Sequence, residues 1–189
     1  MKPIKIGITG SNNTGKTTAA YDIVAKLRKR GNKADVAHES VRYCPKGVKE
    51  RTDIGSQLWI FGRQMQIEEV MAAHEDITIC DKTSIDTYCY GKWAYLKNPT
   101  PDNYTRLYLL DKLTLDYSKT YDYIFLLPID KKIKYHQWIE GIDQRKEIDI
   151  LIRNRLKEAK IKYIEIKAPL KDISSEILSI LLKDKNIKY

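Results

Sequence analysis

Gly10-Ser11-Asn12-Asn13-Thr14-Gly15-Lys16-Thr17 is the stretch that decides the fold of this chain. It fills every fixed position of GxxxxGK[ST], a spacing that turns backbone N–H groups inward around phosphate. The two glycines permit turns that a Cβ would resist. Lys16 opens a helix, so its ammonium and the helix N-terminus present positive charge to the same anion. Thr17 offers a hydroxyl suited to Mg²⁺. The flanks agree with this reading. Residues 3–9 (Pro-Ile-Lys-Ile-Gly-Ile-Thr) alternate and are β-branched, as a strand should be. Over residues 16–30, Ala20, Ile23, Val24 and Leu27 recur at helical spacing, and Gly31 supplies a C-cap. The nucleotide-binding residues expected from the motif are Gly10, Asn12, Asn13, Thr14, Gly15, Lys16, Thr17 and Thr18.

Outward from the loop, the chain alternates strand-like and helix-like segments. Residues 34–38 read as a second strand and 57–73 as an amphipathic helix bearing Leu58, Phe61, Met65, Glu68 and Ala72. Residues 77–80 (Ile-Thr-Ile-Cys) form a third strand running into Asp81. A helix over 104–117 follows. The apolar run 123–127 suits a strand buried on both faces. Helices at 146–159 and 171–184 flank a fifth strand at 162–166. Two prolines and two asparagines within 96–103 predict a loop there. Strands alternating with helices predict a three-layer α/β fold with a mainly parallel five-stranded sheet. No repeat or linker divides the chain, so one domain over 1–189 is expected.

The composition fits this class. The 189 residues are 42% hydrophobic, ordinary for a globular domain. No run approaches the roughly 18 apolar residues of a membrane span, and the apolar N-terminal stretch is too short for a signal peptide. A cytoplasmic protein without a membrane partner is expected. Cys44, Cys80 and Cys89 lack CxxC spacing and read as reduced thiols with no metal role. The net charge of +9 is unevenly spread: residues 1–50 carry +7, 51–130 carry −4 and 131–189 carry +6. Basic ends around an acidic middle suit nucleic-acid binding, or an enzyme whose ends converge on polyphosphate. No block of like charge forces the first reading.

Phosphoryl transfer needs an acid to organise metal and often a base for the attacking hydroxyl. Ligands of parallel sheets gather beyond the carboxyl ends of the strands. Glu39 and Asp81 stand at two such ends. Glu39 is the candidate base or acceptor-orienting group, or else a cap at a strand exit. Asp81 is the candidate partner of Thr17 for Mg²⁺. Arg42 follows Glu39 closely. Lys82 offers a cation to an acceptor or to the transferring phosphate. Asp86 and Tyr90 fall one turn apart if their segment is helical, where either faces the acceptor or fills the core.

Taken together, this order of motifs resembles the deoxynucleoside-kinase and thymidylate-kinase group. It is closer still to the small AAA-type ATPase domains related to the ribosylnicotinamide kinases. Glu39 and Arg42 match the Glu-x-x-Arg after their second strand. Asp81, Thr83 and Asp86 match the Asp-Arg-[small]-x-x-Asp after the third, with Lys82 in place of the usual Arg. The charge survives that change and the bidentate grip does not. The helix holding Gln57, Trp59, Phe61, Arg63, Gln64 and Glu68 resembles the acceptor-side helix of deoxynucleoside kinases, which implies a base-pairing role for Gln64. Trp59 and Phe61 equally suit core packing. The resemblance also implies an Arg-bearing lid, placed at about 138–155 (Trp138, Glu140, Gly141, Asp143, Arg145, Arg153, Arg155). Arg145 is the first choice for the transition state and Arg153 the second, although Asp149 lies four residues before Arg153 and invites a surface pair. The loop at Ala168-Pro169-Leu170 is implied to wrap adenine.

The expectation is therefore an ATP- and Mg²⁺-dependent phosphotransferase, with Lys16, Glu39, Asp81 and Arg145 as catalytic residues. The absence of a guanine-specific Asn-Lys-x-Asp fits ATP and leaves the choice between ATP and GTP open. Arg42, Arg63 and Lys82 would supply cations for an acceptor that already carries phosphate, alongside Gln64 and Asp86. This favours a nucleoside monophosphate-like acceptor. The alternatives are a nucleoside or ribosylnicotinamide-type acceptor, and a regulatory NTP-binding module touching nucleic acid. Nucleic acid is not favoured as a partner, and a homodimer is left open.

Overall fold

The computed structural model describes residues 3–46, 53–129, 142–183 and 187. Its five strands are β1 (Ile4–Thr9), β2 (Ala34–Ala37), β3 (Ile77–Asp81), β4 (Tyr123–Leu126) and β5 (Ile164–Glu165). They form one sheet in the order β2-β3-β1-β4-β5, and every pairing is parallel. Parallel neighbours need crossover connections. These are supplied by six α-helices: α1 (Lys16–Lys29), α2 (Ile54–His74), α3 (Ser84–Lys97), α4 (Pro101–Ser118), α5 (Ile142–Glu158) and α6 (Ile173–Leu181). The expected three-layer α/β fold is therefore present, with a sheet that is wholly parallel.

Each face of the sheet is covered by its own apolar layer. Ile23 and Leu27 of α1 and Ile177 and Leu181 of α6 pack on Ile6, Ile8, Ile79 and Phe125. Ile85 and Cys89 of α3 and Ile148, Ile152 and Leu156 of α5 pack with Leu126. Burying such side chains contributes roughly 1.5–3 kcal/mol each, so the layers fix the strand ends firmly. The register then decides what those ends bring together. Ile8 of β1 lies level with Asp81 of β3, and Ala37 of β2 lies level with Cys80. Gly10, Glu39 and Asp81 consequently leave the sheet at one edge.

Three local expectations change. The helix α3 shows no clear periodicity in sequence because its first two turns, Ser84–Gly91, are buried all round. The loop expected at 96–103 shrinks to 98–100, since Thr100 accepts from the backbone N–H of Asn103 and Pro101 occupies the first helical turn. The outward side of α2 carries Trp59 and Met65, while its buried side carries Gln57, Gln64 and Glu68 beside Ile60 and Phe61. Of the two aromatics that equally suit core packing, Phe61 alone is buried and Trp59 faces out. Cys44, Cys80 and Cys89 are free and buried. Among the described residues no helix is long and apolar enough to cross a membrane.

Candidate functional site

The loop between β1 and α1 is shaped by three residues with positive φ: Gly10 at 147°, Asn13 at 55° and Gly15 at 87°. A Cβ on Gly10 would lie 2.8 Å from the Leu127 carbonyl oxygen, so the loop runs hard against the end of β4. Lys16 folds across the loop, and its Nζ donates to the carbonyls of Gly10 (2.8 Å) and Ser11 (2.6 Å). The Thr14 hydroxyl donates to the Ser11 carbonyl at 3.0 Å. Burial lowers the Lys16 pKa, and the Asp86 charge partly offsets this.

Thr17 Oγ1 donates to Asp81 Oδ2 at 2.6 Å, joining the loop to the end of β3. Asp81 Oδ1 is buried without a hydrogen-bond partner. Burial raises the Asp81 pKa, and the Thr17 hydrogen bond works against that rise. A buried carboxylate oxygen with no donor, next to a threonine hydroxyl, is a donor set that fits a hard divalent cation. No group of three or more His, Cys, Asp or Glu with metal-holding geometry occurs among the described residues. Mg²⁺ does not require one, because it keeps waters and phosphate oxygens in its shell.

Directly after Asp81, Lys82 adopts φ 86°, an uncommon conformation for a residue with a side chain. The turn aims its Nζ at the Glu39 carboxylate, with which it forms an ion pair. The same ammonium lies 4.8 Å from the centre of the Tyr90 ring. Burial disfavours the Lys82 charge, but Glu39, together with Tyr90 and Asp86, outweighs it and the pKa rises. The Tyr90 hydroxyl donates to Asn12 Oδ1, which returns the line of contacts to the phosphate loop.

The remaining expected residues divide. Arg145, on α5, donates to the Asn13 carbonyl at 3.0 Å and is buried, so it stands at the loop. Arg153 pairs with Asp149 and Glu165, each at 2.8 Å, and Arg155 pairs with Asp111. These two arginines are tied into the α5 surroundings. Pro169 precedes a short 3-10 turn at Leu170–Asp172. Leu170 packs against Gly15, which sets that turn beside the phosphate loop. Thr18 is exposed at the start of α1.

Asp86 is fully buried and braces the loop from behind. Its Oδ1 accepts from the Gly10 N–H (3.2 Å), and its Oδ2 accepts from the Thr83 N–H (2.8 Å) and Thr83 hydroxyl (2.7 Å). Both oxygens serve the fold, which leaves it no oxygen facing a substrate. Arg63 is exposed and donates to Gln66 at 2.6 Å. Gln64 is buried, its amide engaged by Ser40 and Glu68. The side chains of Arg42 and Asp143, and residues 138–141 of the expected lid, lie outside the described residues.

Tyr121 and the hub role of Glu68 escape a reading of the sequence. The one local signal is the pair Gln64 and Glu68, four apart on the side of α2 that also holds Phe61. Polar residues on a buried face imply partners elsewhere in the chain.

A family model described as an AAA domain matches residues 5–172. No curated protein matches the chain significantly. Among solved structures, the chain is similar to the NadR protein in complex with NAD and AMP-PNP, at 19% identity and a TM-score of 0.72, covering 100% of this chain and 51% of that one. It is similar to the NadR protein in complex with NR at 19% identity and a TM-score of 0.65, covering 88% and 44%. It is also similar to the deoxyadenosine kinase from M. mycoides with bound products, at 19% identity and a TM-score of 0.72, covering 96% and 100%. The chain thus spans about half the length of the NadR structures. At these identities the likeness is one of fold, an α/β domain with a parallel sheet and a P-loop after its first strand.

Proposed function

The chain belongs to this AAA domain family, and from that premise we propose that it is an ATP- and Mg²⁺-dependent phosphotransferase acting on a hydroxyl of a nucleoside-type acceptor. One observation carries the reading: Thr17, Asp81, Lys82 and Glu39 form an unbroken line from the phosphate loop to the end of β2. A metal-organising acid and a candidate base are thereby held on the same edge as Lys16. In the proposed reaction the acceptor hydroxyl oxygen bonds to the γ-phosphorus, the bond from that phosphorus to the β–γ bridging oxygen breaks, and ADP leaves. Glu39 takes the hydroxyl proton. Lys16 and Arg145 stabilise charge on the transferring group. Thr17 and Asp81 would hold Mg²⁺, which neutralises phosphate oxygens when bound. We assign the adenine contact to the turn at Pro169, within one domain. The described part of the stretch expected as a lid is α5, whose Ile148 and Ile152 are buried against the sheet, and it is Arg145 that α5 brings to the loop.

The acceptor class follows from cation placement. Arg63 is exposed and bonded to Gln66, and Lys82 is paired with Glu39. Two of the three cations expected for an acceptor phosphate are thus engaged elsewhere, which supports a hydroxyl acceptor without its own phosphate. A nucleoside monophosphate is the second reading, favoured by Arg42 three residues beyond Glu39 in the 3-10 turn Ser40–Tyr43. The test is ADP release from Mg·ATP against nucleosides, ribosylnicotinamide and nucleoside monophosphates, with Lys16→Ala as control. Stimulation by a nucleoside-type acceptor, lost in the control, is expected. Stimulation by monophosphates alone would establish the second reading. ATP binding with no stimulation by any acceptor would overturn the phosphotransferase.

A further inference from the structure

The buried face of α2 holds a hydrogen-bond chain joining the two turns that the proposed reaction uses. At one end, the backbone N–H of Ser40, next to Glu39, donates to Gln64 Oε1 at 3.2 Å. A backbone N–H can only donate, so the amide oxygen must face it, and Gln64 Nε2 is turned to Glu68 Oε1 at 3.1 Å. At the other end, the N–H of Ser84, two residues beyond Lys82, donates to the Tyr121 hydroxyl at 3.1 Å. That hydroxyl donates onward to the same Glu68 oxygen at 3.1 Å. The two arms converge on one carboxylate, and Ser40, Gln64, Glu68, Ser84 and Tyr121 are all buried.

We propose that Gln64 and Tyr121, meeting on Glu68, are positioning residues that set the Glu39 turn against the Lys82 turn, so that Gln64 braces the site and does not read the acceptor base. The inference rests on the proposed role of Glu39 and deepens it. Both polar ends of the Gln64 amide are engaged inside the protein, and the side chain presents almost no surface to a ligand. Other groups surround the hub, whose Oε2 has no hydrogen-bond partner. Lys5 of β1 places its Nζ 3.8 Å from Glu68 Oε2 and 2.8 Å from Glu69. Tyr117 of α4 donates to Glu69 at 2.8 Å and receives the same ammonium at 3.0 Å. Cys80 of β3 faces the carboxylate from the sheet. Burial pushes the Glu68 carboxyl up to about 7, as befits a group fixed by its surroundings and shielded from water. Hydrogen bonds in such a chain polarise one another, so a cut in one arm is felt in the other.

The test compares wild type, Gln64→Met, Tyr121→Phe and the double variant in steady-state kinetics with two acceptors that differ in base. It also follows amide hydrogen exchange at Ser40 and Ser84. Each single change is expected to lower kcat on the order of 10- to 100-fold, the scale of a small misplacement of reacting groups. Acceptor KM and base preference should stay within about twofold. The double variant should lose little more than the worse single, because both cut one device. Exchange at Ser84 should quicken in Gln64→Met, although Gln64 does not bond to Ser84. Glu68→Met is the second variant where a single change fails to fold, with the same fall in kcat expected. The inference is overturned if Gln64→Met alters acceptor KM or base preference while kcat holds, if the two losses are additive, or if Ser84 exchange is unmoved. If wild type phosphorylates no acceptor, the proposed function falls, and exchange at Ser40 and Ser84 alone decides the chain.

Discussion

The phosphate loop and the proposed acceptor side of this site are built by different means. On the phosphate side, the bonds that shape the loop itself are close in sequence: Lys16 bonds carbonyls five and six residues back, and Thr14 bonds one three residues back, while Asp81, Asp86 and Arg145 brace that loop from distant elements. On the acceptor side, the bonded pairs Ser40–Gln64, Ser84–Tyr121 and Glu68–Tyr121 are 24, 37 and 53 residues apart. The first region is a backbone conformation fixed by glycines. The second is a set of side chains that acquire meaning only when helices and strands have packed. A loop of the first kind can be recognised from eight letters, whereas a pocket of the second kind needs the fold.

The strongest challenge to this contrast is Glu39→Gln. If the acceptor side does chemistry, removing its base should lower kcat about 10²- to 10⁴-fold, with the Kd of ATP changed little because the phosphate loop is untouched. Transfer kinetics and ATP titration on one preparation read both quantities. An unchanged kcat would reduce the acceptor side to a scaffold and leave the phosphate side with all the catalytic work.

The next effect falls on the phosphate side. Gly10→Ala adds a Cβ 2.8 Å from the Leu127 carbonyl oxygen, at a φ of 147°. The obstacle is backbone, which cannot rotate aside. Strain of about 1–3 kcal/mol and overpacking of about 1–3 kcal/mol together predict a loss of roughly 2–6 kcal/mol in denaturant unfolding. ATP binding should weaken as well. If Gly10→Ala folds and binds normally, the loop is less dependent on its backbone than the contrast requires.

The same contrast explains what could be read in the sequence. The strand–loop–helix unit and the order of alternating elements carry local signals, and the all-parallel α/β sheet follows from them. Glu39 and Asp81 could be picked out because parallel strands deliver their ends to one edge, and the register of Ala37, Cys80 and Asp81 places both there. Asp86 was expected near a substrate because its spacing matches a motif. Only the fold reveals that its two oxygens hold Gly10 and Thr83. The sequence offers Lys82 as a cation for an acceptor, and its pairing with Glu39 depends on a backbone turn that no propensity predicts. The helix α3 was hidden because burial on all sides erases periodicity. Tyr121 lies just before β4 with no motif around it, and its role comes wholly from what α2 and α3 bring to its hydroxyl.

The smallest effect sharpens the contrast most, because it separates a group that serves the site from one that serves stability. Glu68 is fully buried, and its pKa rises from the ordinary 4.5 to about 7. Desolvation drives this rise, against the opposing pull of Lys5 and of hydrogen bonds from Gln64 and Tyr121. The folded protein therefore binds the proton more tightly than the unfolded chain does. The resulting contribution to stability is fully present below pH 4.5 and is lost as pH rises through about 7. Between pH 5 and 7.5 the loss should amount to roughly 2 kcal/mol, one pKa unit being about 1.4 kcal/mol. Glu68→Gln keeps an oxygen and has no proton to lose, so its unfolding free energy should lack this slope. Wild type should lose ground to the variant as pH rises, and the difference between the two curves cancels every other titrating group. Parallel curves would mean that Lys5 compensates the carboxylate fully at all pH values. Diverging curves would show that the proposed acceptor side keeps a costly buried acid at its hub, with one oxygen lacking a hydrogen-bond partner, whereas Asp86, the buried acid behind the phosphate loop, has both oxygens met by donors.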